Sequence, residues 1–176
     1  TYEVRIAPTG STPFNDIFFG AFVAGDKLKL LEIKNWGAIH WSEFAFGGCA
    51  NLTVTATDIP DLTGVTDLSF AFSYSGIDEI PNFNDWDVSN VTNMGNLFEQ
   101  ATNFNQSLDR WDVSNVTDMT FMFDGATSFN QPLDSWDVRK LEHFSYMFRD
   151  ASSFNQSLGA WKLESLLGAV AAFFRS

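Results

Sequence analysis

Trp86, Trp111, Trp136 and Trp161 stand 25 residues apart, and each opens a copy of one sequence. The three full copies read WDVSNVTNMGNLFEQATNFNQSLDR, WDVSNVTDMTFMFDGATSFNQPLDS and WDVRKLEHFSYMFRDASSFNQSLGA, and a partial copy follows Trp161. A period of this length marks a repeat architecture, in which each copy buries its apolar face only against its neighbours. The repeat decays toward the N-terminus. Phe98, Phe123, Phe148 and Phe173 share one position, with Phe72 and Phe46 before them at intervals of 26. Val65-Thr66-Asp67-Leu68 echoes Val116-Thr117-Asp118-Met119. Coils therefore begin near Trp36, Pro60, Trp86, Trp111, Trp136 and Trp161. Degenerate outer copies suit a cap, because an end coil lacks one neighbour.

Two patterns alternate within a copy. Val116, Met119, Met122 and Phe123 are spaced like one face of a helix. Asn115 precedes them as an N-cap, and Asp118 falls in the first turn. The segment 129–133 reads as a short extended strand with Phe129 and Leu133 on one side. Pro132 fits there only at an edge. The expected fold class is therefore an α/β repeat with leucine-rich-repeat geometry, one short parallel strand and one short helix per coil of about 25 residues. Residues 34–176 form about five coils plus a partial one, and residues 1–33 form a β-rich cap or the remnant of a preceding module. Phe104, Phe129 and Phe154 stack in one column, Leu108, Leu133 and Leu158 in a second, and Ala101, Ala126 and Ala151 in a third. The alanines mark the narrow place where helix approaches strand. Of the chain's aromatic residues, the column Trp and Phe belong to this repeated core.

Composition limits the remaining classes. Ten Lys and Arg against 22 Asp and Glu give a net charge of −12, which argues against a nucleic-acid backbone as partner. At 45% hydrophobic the chain is too apolar for a typical acidic disordered tail. No run approaches the roughly 18 apolar residues of a membrane span, so direct membrane insertion is not expected. One cysteine excludes an internal disulfide framework. Thr1 opens the chain without a charged and apolar leader, so a signal peptide is either absent or already removed. The apolar segment 166–176 reads as an end that continues or is covered, and the chain as a portion of a longer protein.

The pattern WDVSNVT-x-M, then MF, then A-x-x-FNQ-x-L resembles the BspA-like surface proteins, a family with 25-residue leucine-rich-type repeats often described only as a domain of unknown function. Residues 30–52, with LLEIKNWG, IHW and FGGCANL, resemble the entry segment of such arrays, and residues 1–6 resemble the last strand of a β-sandwich module. The resemblance implies a right-handed solenoid and secreted or cell-surface display. It also implies a role in adhesion toward a host or neighbouring-cell surface protein or glycan, as part of a larger surface protein. It supplies no catalytic residue and no cofactor. Two departures stand out: Arg139-Lys140 replaces Ser-Asn, removing the Asn cap, and the last copy turns apolar at residues 169–174.

The residues between the core columns carry what chemistry there is. Asn105, Asn130 and Asn155 are expected to satisfy turn backbone. Gln106, Gln131 and Gln156 alternate with inward residues and should point outward. With Ser107, Ser157, Asp109 and Asp134 they would form a ladder-like face for a protein or glycan, and solvated surface is the alternative. Asp87, Asp112 and Asp137 form a carboxylate column that calcium could bridge, or each Asp could bracket its own turn. No acidic loop supplies the six to eight oxygen ligands of a defined calcium site, and no metal site is assigned. Five Asn-x-Ser/Thr sequons, at Asn51, Asn90, Asn105, Asn115 and Asn155, are mostly repeat text. Cys49 aligns with the alanine column as a small buried thiol. His40 and His143 lie in different coils, and no nucleophile or phosphate-loop motif occurs, so the expected function is a non-enzymatic binding module. A structural spacer without its own ligand and a calcium-dependent surface module are the alternatives. Ala126→Leu should overpack the alanine column and cost about 1–3 kcal/mol. An unchanged thermal melting midpoint would refute that assignment.

Overall fold

Strict spacing by three is awkward for an α-helix. Each residue turns the chain by about 100°, so residues three apart drift about 60° around the axis at every step. Val113, Val116, Met119 and Met122 keep that spacing throughout and are all buried. The computed structural model of the chain describes Leu28, residues 30–37 and residues 46–162. No α-helix occurs among the described residues. The segment expected to be a helix is a run of tight turns.

Each turn closes from an amide to the carbonyl three residues before it. Met122 N–H donates to Met119 O at 3.1 Å, and Ala126 N–H to Phe123 O at 3.1 Å. The third residue of these two turns has positive φ: 57° at Phe121 and 67° at Gly125. A turn of this type places residues three apart on one side and needs a left-handed residue at its third position. The same pair recurs as Phe70 and Tyr74, Asn96 and Gln100, and Tyr146 and Asp150. Three-residue periodicity thus comes from consecutive turns.

The amides not used within turns join neighbouring copies. Met94, Asn96, Phe98 and Gln100 donate to the carbonyls of Asp118, Thr120, Met122 and Asp124 at 2.7–2.9 Å. Leu97, Glu99 and Ala101 donate within their own turns. Gly95 donates to the Asn93 side chain at 2.9 Å. Every amide from 94 to 101 therefore has an acceptor, as burial against the core demands. One copy on, Met119, Phe121, Phe123 and Gly125 donate to His143, Ser145, Met147 and Arg149. Asp67, Asn93, Asp118 and His143 pair in parallel at the start of this ladder. Near the N-terminus, β1 (Glu32–Ile33) pairs in parallel with β2 (Thr53–Val54).

The expected strand at 129–133 does not form, and side chains span its gap instead. Asn105 Oδ1 accepts from Asn130 N–H at 2.8 Å, and Asn130 Oδ1 from Asn155 N–H at 2.9 Å. The copies are farther apart here. Ladder-type pairing sets strands about 4.7–4.9 Å apart. The near-parallel rings of Phe98, Phe123 and Phe148 repeat at 5.6 Å, those of Phe104, Phe129 and Phe154 at 5.9 Å, and Trp136 and Trp161 at 6.4 Å. Among the full copies the ring spacing widens from the turns toward the Trp column, and a primary amide reaches where a direct backbone bond does not.

The core columns hold. Phe46, Phe72, Phe98, Phe123 and Phe148 stack in sequence at 5.6–6.0 Å. Phe104 and Phe129 lie flat against Phe98 and Phe123 at 4.0 Å. Cys49, Ala101 and Ala126 are fully buried at one position. The alanines close a turn rather than facing a helix: Ala126 donates to Phe123 O and accepts from Phe129 N–H. The indole N–H of Trp111, Trp136 and Trp161 donates to the carbonyls of Phe83, Leu108 and Leu133, each 28 residues earlier. Where Pro60 stands in place of a Trp, Trp36 meets Trp86 edge-on at 5.1 Å. Phe173, the terminal apolar segment, His40 and the start of the chain lie outside the described residues.

Asn115 also takes a different role from the helix cap expected of it. Its amide donates to Ser89 O at 2.8 Å in the preceding copy. Lys140, which replaces Asn one copy later, donates from Nζ to Asn115 Oδ1 at 2.7 Å. The substitution therefore keeps a bond between copies.

Turn and helix make opposite demands at residue 96. In a left-handed position glycine is better than alanine by about 1 kcal/mol or more, and inside a helix it is worse by a similar amount. Urea denaturation should therefore find Asn96→Gly more stable than Asn96→Ala by about 1 kcal/mol. The reverse order would rule out the turn.

Candidate functional site

The turns leave three rows of side chains on their outer side. One runs Phe70, Asn96, Phe121 and Tyr146, the left-handed residues of the first turn in each copy. Ser73, Glu99, Asp124 and Arg149 form the second, three residues later. Tyr74, Gln100, Gly125 and Asp150 form the third, the left-handed residues of the next turn. Left-handed backbone is unfavourable for bulky residues, costing about 1–2 kcal/mol. Aromatic residues nonetheless occupy four of these positions, and two are largely in solvent: Phe70 is 49% exposed and Tyr74 56%.

At the C-terminal end of these rows the side chains are tied together. Phe121 and Tyr146 stack at 5.1 Å. The Arg149 guanidinium lies 5.0 Å from the Phe121 ring centre and 5.3 Å from that of Tyr146. Its fork grips Asp124, Nε on Oδ1 at 2.7 Å and Nη2 on Oδ2 at 2.5 Å. Asp124 is buried, and this bond holds the Arg149 pKa above its ordinary value. At the other end, Glu99 accepts from Ser73 Oγ at 3.2 Å, Asn96 Nδ2 at 3.1 Å and Tyr74 OH at 3.4 Å. The negative charge of Glu99 pushes the Tyr74 phenol upward in pKa, with burial and the hydrogen bond adding to it. Gly125 keeps the third row flat, since a Cβ there would fall 2.0 Å from Gln100 Nε2.

The polar row expected from the sequence lies elsewhere, and much of it is engaged between copies. Gln106 grips Ile80, accepting from its N–H at 2.7 Å and donating to its carbonyl at 3.0 Å. Gln131 donates to both the carbonyl and Oδ1 of Asn105, and Gln156 does the same to Asn130. Ser107 Oγ donates to Asp109 Oδ1 at 2.7 Å, and Asn84 donates to the same oxygen at 2.6 Å. Ser157 Oγ accepts from Gly159 N–H at 3.2 Å. Asp134 is exposed. Nearby, a shallow depression is lined by Ile59, Asn84, Asp85, Trp86 and Arg110, with Arg110 paired to Asp85.

The carboxylate column faces its own turns. Asp87, Asp112 and Asp137 accept from the amides two residues on, at Ser89, Ser114 and Arg139. Among the described residues no three His, Cys, Asp or Glu side chains gather as a metal-holding group.

The profile of a family described as "Mycoplasma protein of unknown function, DUF285" matches residues 66–176, more than half of the chain. The chain belongs to that family. The DUF285 match begins beside Asp67, the first member of the parallel-paired column, and so takes in all three outer rows. No curated protein and no solved structure matches the chain.

Hydrogen bonds from Ser89 lower the Asp87 pKa, those from Ser107 and Asn84 lower that of Asp109, and the Arg139 side chain holds Asp137 down to about 2. A carboxyl with a depressed folded pKa stabilises the fold fully above its unfolded value, and the gain is lost as pH falls through the folded value. The melting midpoint should therefore drop as pH falls from about 4 toward about 2. NMR titration should place Asp137 near about 2 and move it up toward the ordinary carboxylate range in Arg139→Gln. An unmoved midpoint would remove Arg139 as the cause.

Proposed function

We propose that this DUF285 chain is a non-enzymatic binding or adhesion module, secreted or displayed at a cell surface within a larger protein. We read its architecture as a right-handed leucine-rich-type solenoid of the BspA-like kind. The turns would form its inner, concave side, a reading supported by the ring spacing of the full copies, which is smallest there and largest at the Trp column. The binding face is the set of outer rows on the turns. One observation carries this reading: Phe70, Tyr74, Phe121 and Tyr146 hold left-handed positions at an energetic cost while lying outside the buried core. Residues of this type, with Arg, are enriched in binding surfaces. Contacts repeated from copy to copy add up by engaging several copies at once.

A spacer role is the second reading, favoured by the engaged amides of Gln106, Gln131 and Gln156 on the polar row. The two separate in a binding screen of the immobilised chain against a glycan array and a panel of extracellular matrix proteins. Saturable retention is expected. The double variant Phe121→Asn, Tyr146→Asn should weaken it at least tenfold, and Gln131→Glu should leave it unchanged. Loss with Gln131→Glu alone would move the site to the polar row, and no retained ligand would favour the spacer.

A further inference from the structure

The Arg149 contacts supply an internal template for what the N-terminal end of the same face can hold. A guanidinium lies against two aromatic rings and forks onto the carboxylate of an adjacent copy. Arg149 reaches this place from three residues beyond Tyr146. Three residues beyond Phe70 stands Ser73, too short to cover a ring and carrying no charge. A ring, a carboxylate and a second aromatic stand there too, as Phe70, Glu99 and Tyr74, in a different order: Glu99 belongs to the following copy, where Asp124 belongs to the preceding one, and Tyr74 comes from the third row. Among the described residues, no cation of this chain covers Phe70 or Tyr74.

We infer that Phe70, Tyr74 and Glu99 receive an arginine side chain from a basic segment of a partner protein, an inference that rests on the binding-module reading. The chemistry of the place suits a guanidinium. Aromatic faces attract cations, and arginine is the cation that stacks flat on a ring while donating in a fork. Glu99 accepts three hydrogen bonds, and an ionised carboxylate offers about four acceptor sites. The Tyr74 bond is the longest of the three and the one a guanidinium most easily displaces. Charge agrees as well: the chain carries −12, and on these rows Glu99, Asp124 and Asp150 face the single cation Arg149. A basic segment is therefore drawn to this face from a distance.

The test is calorimetric titration of the full chain with a peptide of three arginines spaced by Gly-Ser. The control peptide carries citrulline, a neutral near-isostere, at the same places. Saturable binding of the arginine peptide is expected, at least tenfold tighter than that of the citrulline peptide. Glu99→Gln should weaken it tenfold or more. So should the double variant Phe70→Asn, Tyr74→Gln, whose new residues already occupy the same rows at Asn96 and Gln100 and so fit the backbone. Glu142→Gln removes an exposed charge outside these rows and should change affinity less than twofold. Equal affinity for both peptides, equal losses in Glu99→Gln and Glu142→Gln, or no binding would each overturn the arginine receptor. If the ligand screen still retains a partner through Phe121 and Tyr146, only this inference falls. If both experiments are blank, the binding-module reading falls with it.

Discussion

The structure depends on a division of labour along one stretch of backbone. Alternate amides close turns within a copy, and the amides between them reach the next copy. Neither set alone would serve. Turns without the lateral bonds would leave half the buried amides unmatched, and an unmatched buried amide costs as much as several good contacts return. A flat strand would satisfy the amides but would send alternate side chains to opposite faces. The turn ladder lets Val113, Val116, Met119 and Met122 all face one core while the amides of Val116, Met119 and Met122 remain bonded. The left-handed residues are the condition for this arrangement, which is why so bulky a residue as Phe121 accepts one.

The columns were legible in the sequence. Constant spacing and near-identity are enough to stack Phe98, Phe123 and Phe148, to align the alanines, and to bring Cys49 into their line. The local conformation was not. Spacing by three looks helical over two turns, and the step of four from Met119 to Phe123 strengthens that look. Positive φ is usually announced by glycine or asparagine, and in these rows Gly48, Gly125 and Asn96 gave that signal, while Phe121, Tyr146 and Gln100 concealed it. The strand at 129–133 failed for a related reason. Sequence periodicity carries no measure of how far apart copies lie, and at that distance Asn105 and Asn130 take over from the backbone.

The same gap explains the candidate site. Gln106, Gln131 and Gln156 repeat faithfully because they bond copy to copy, and repetition alone does not separate adhesive surface from internal fastening. Phe70 and Tyr74 lie in a degenerate copy, so they carry no consensus. The usable signal was their alignment with Phe121 and Gly125 in rows that otherwise hold Asn96 and Gln100. An aromatic residue that serves neither the core nor the backbone preference of its position is better evidence of an outward role than a conserved-looking polar row.

The bonds between copies recur in the same pattern: Asn105 to Asn130 to Asn155, and Phe98 to Met122 as Phe123 to Met147. Each junction therefore presents nearly the same two surfaces. Loss or gain of one whole repeat leaves every junction matched, whereas a change of a few residues disturbs the junctions on either side of it. The length of the stack can then vary in whole steps while the fold stays the same.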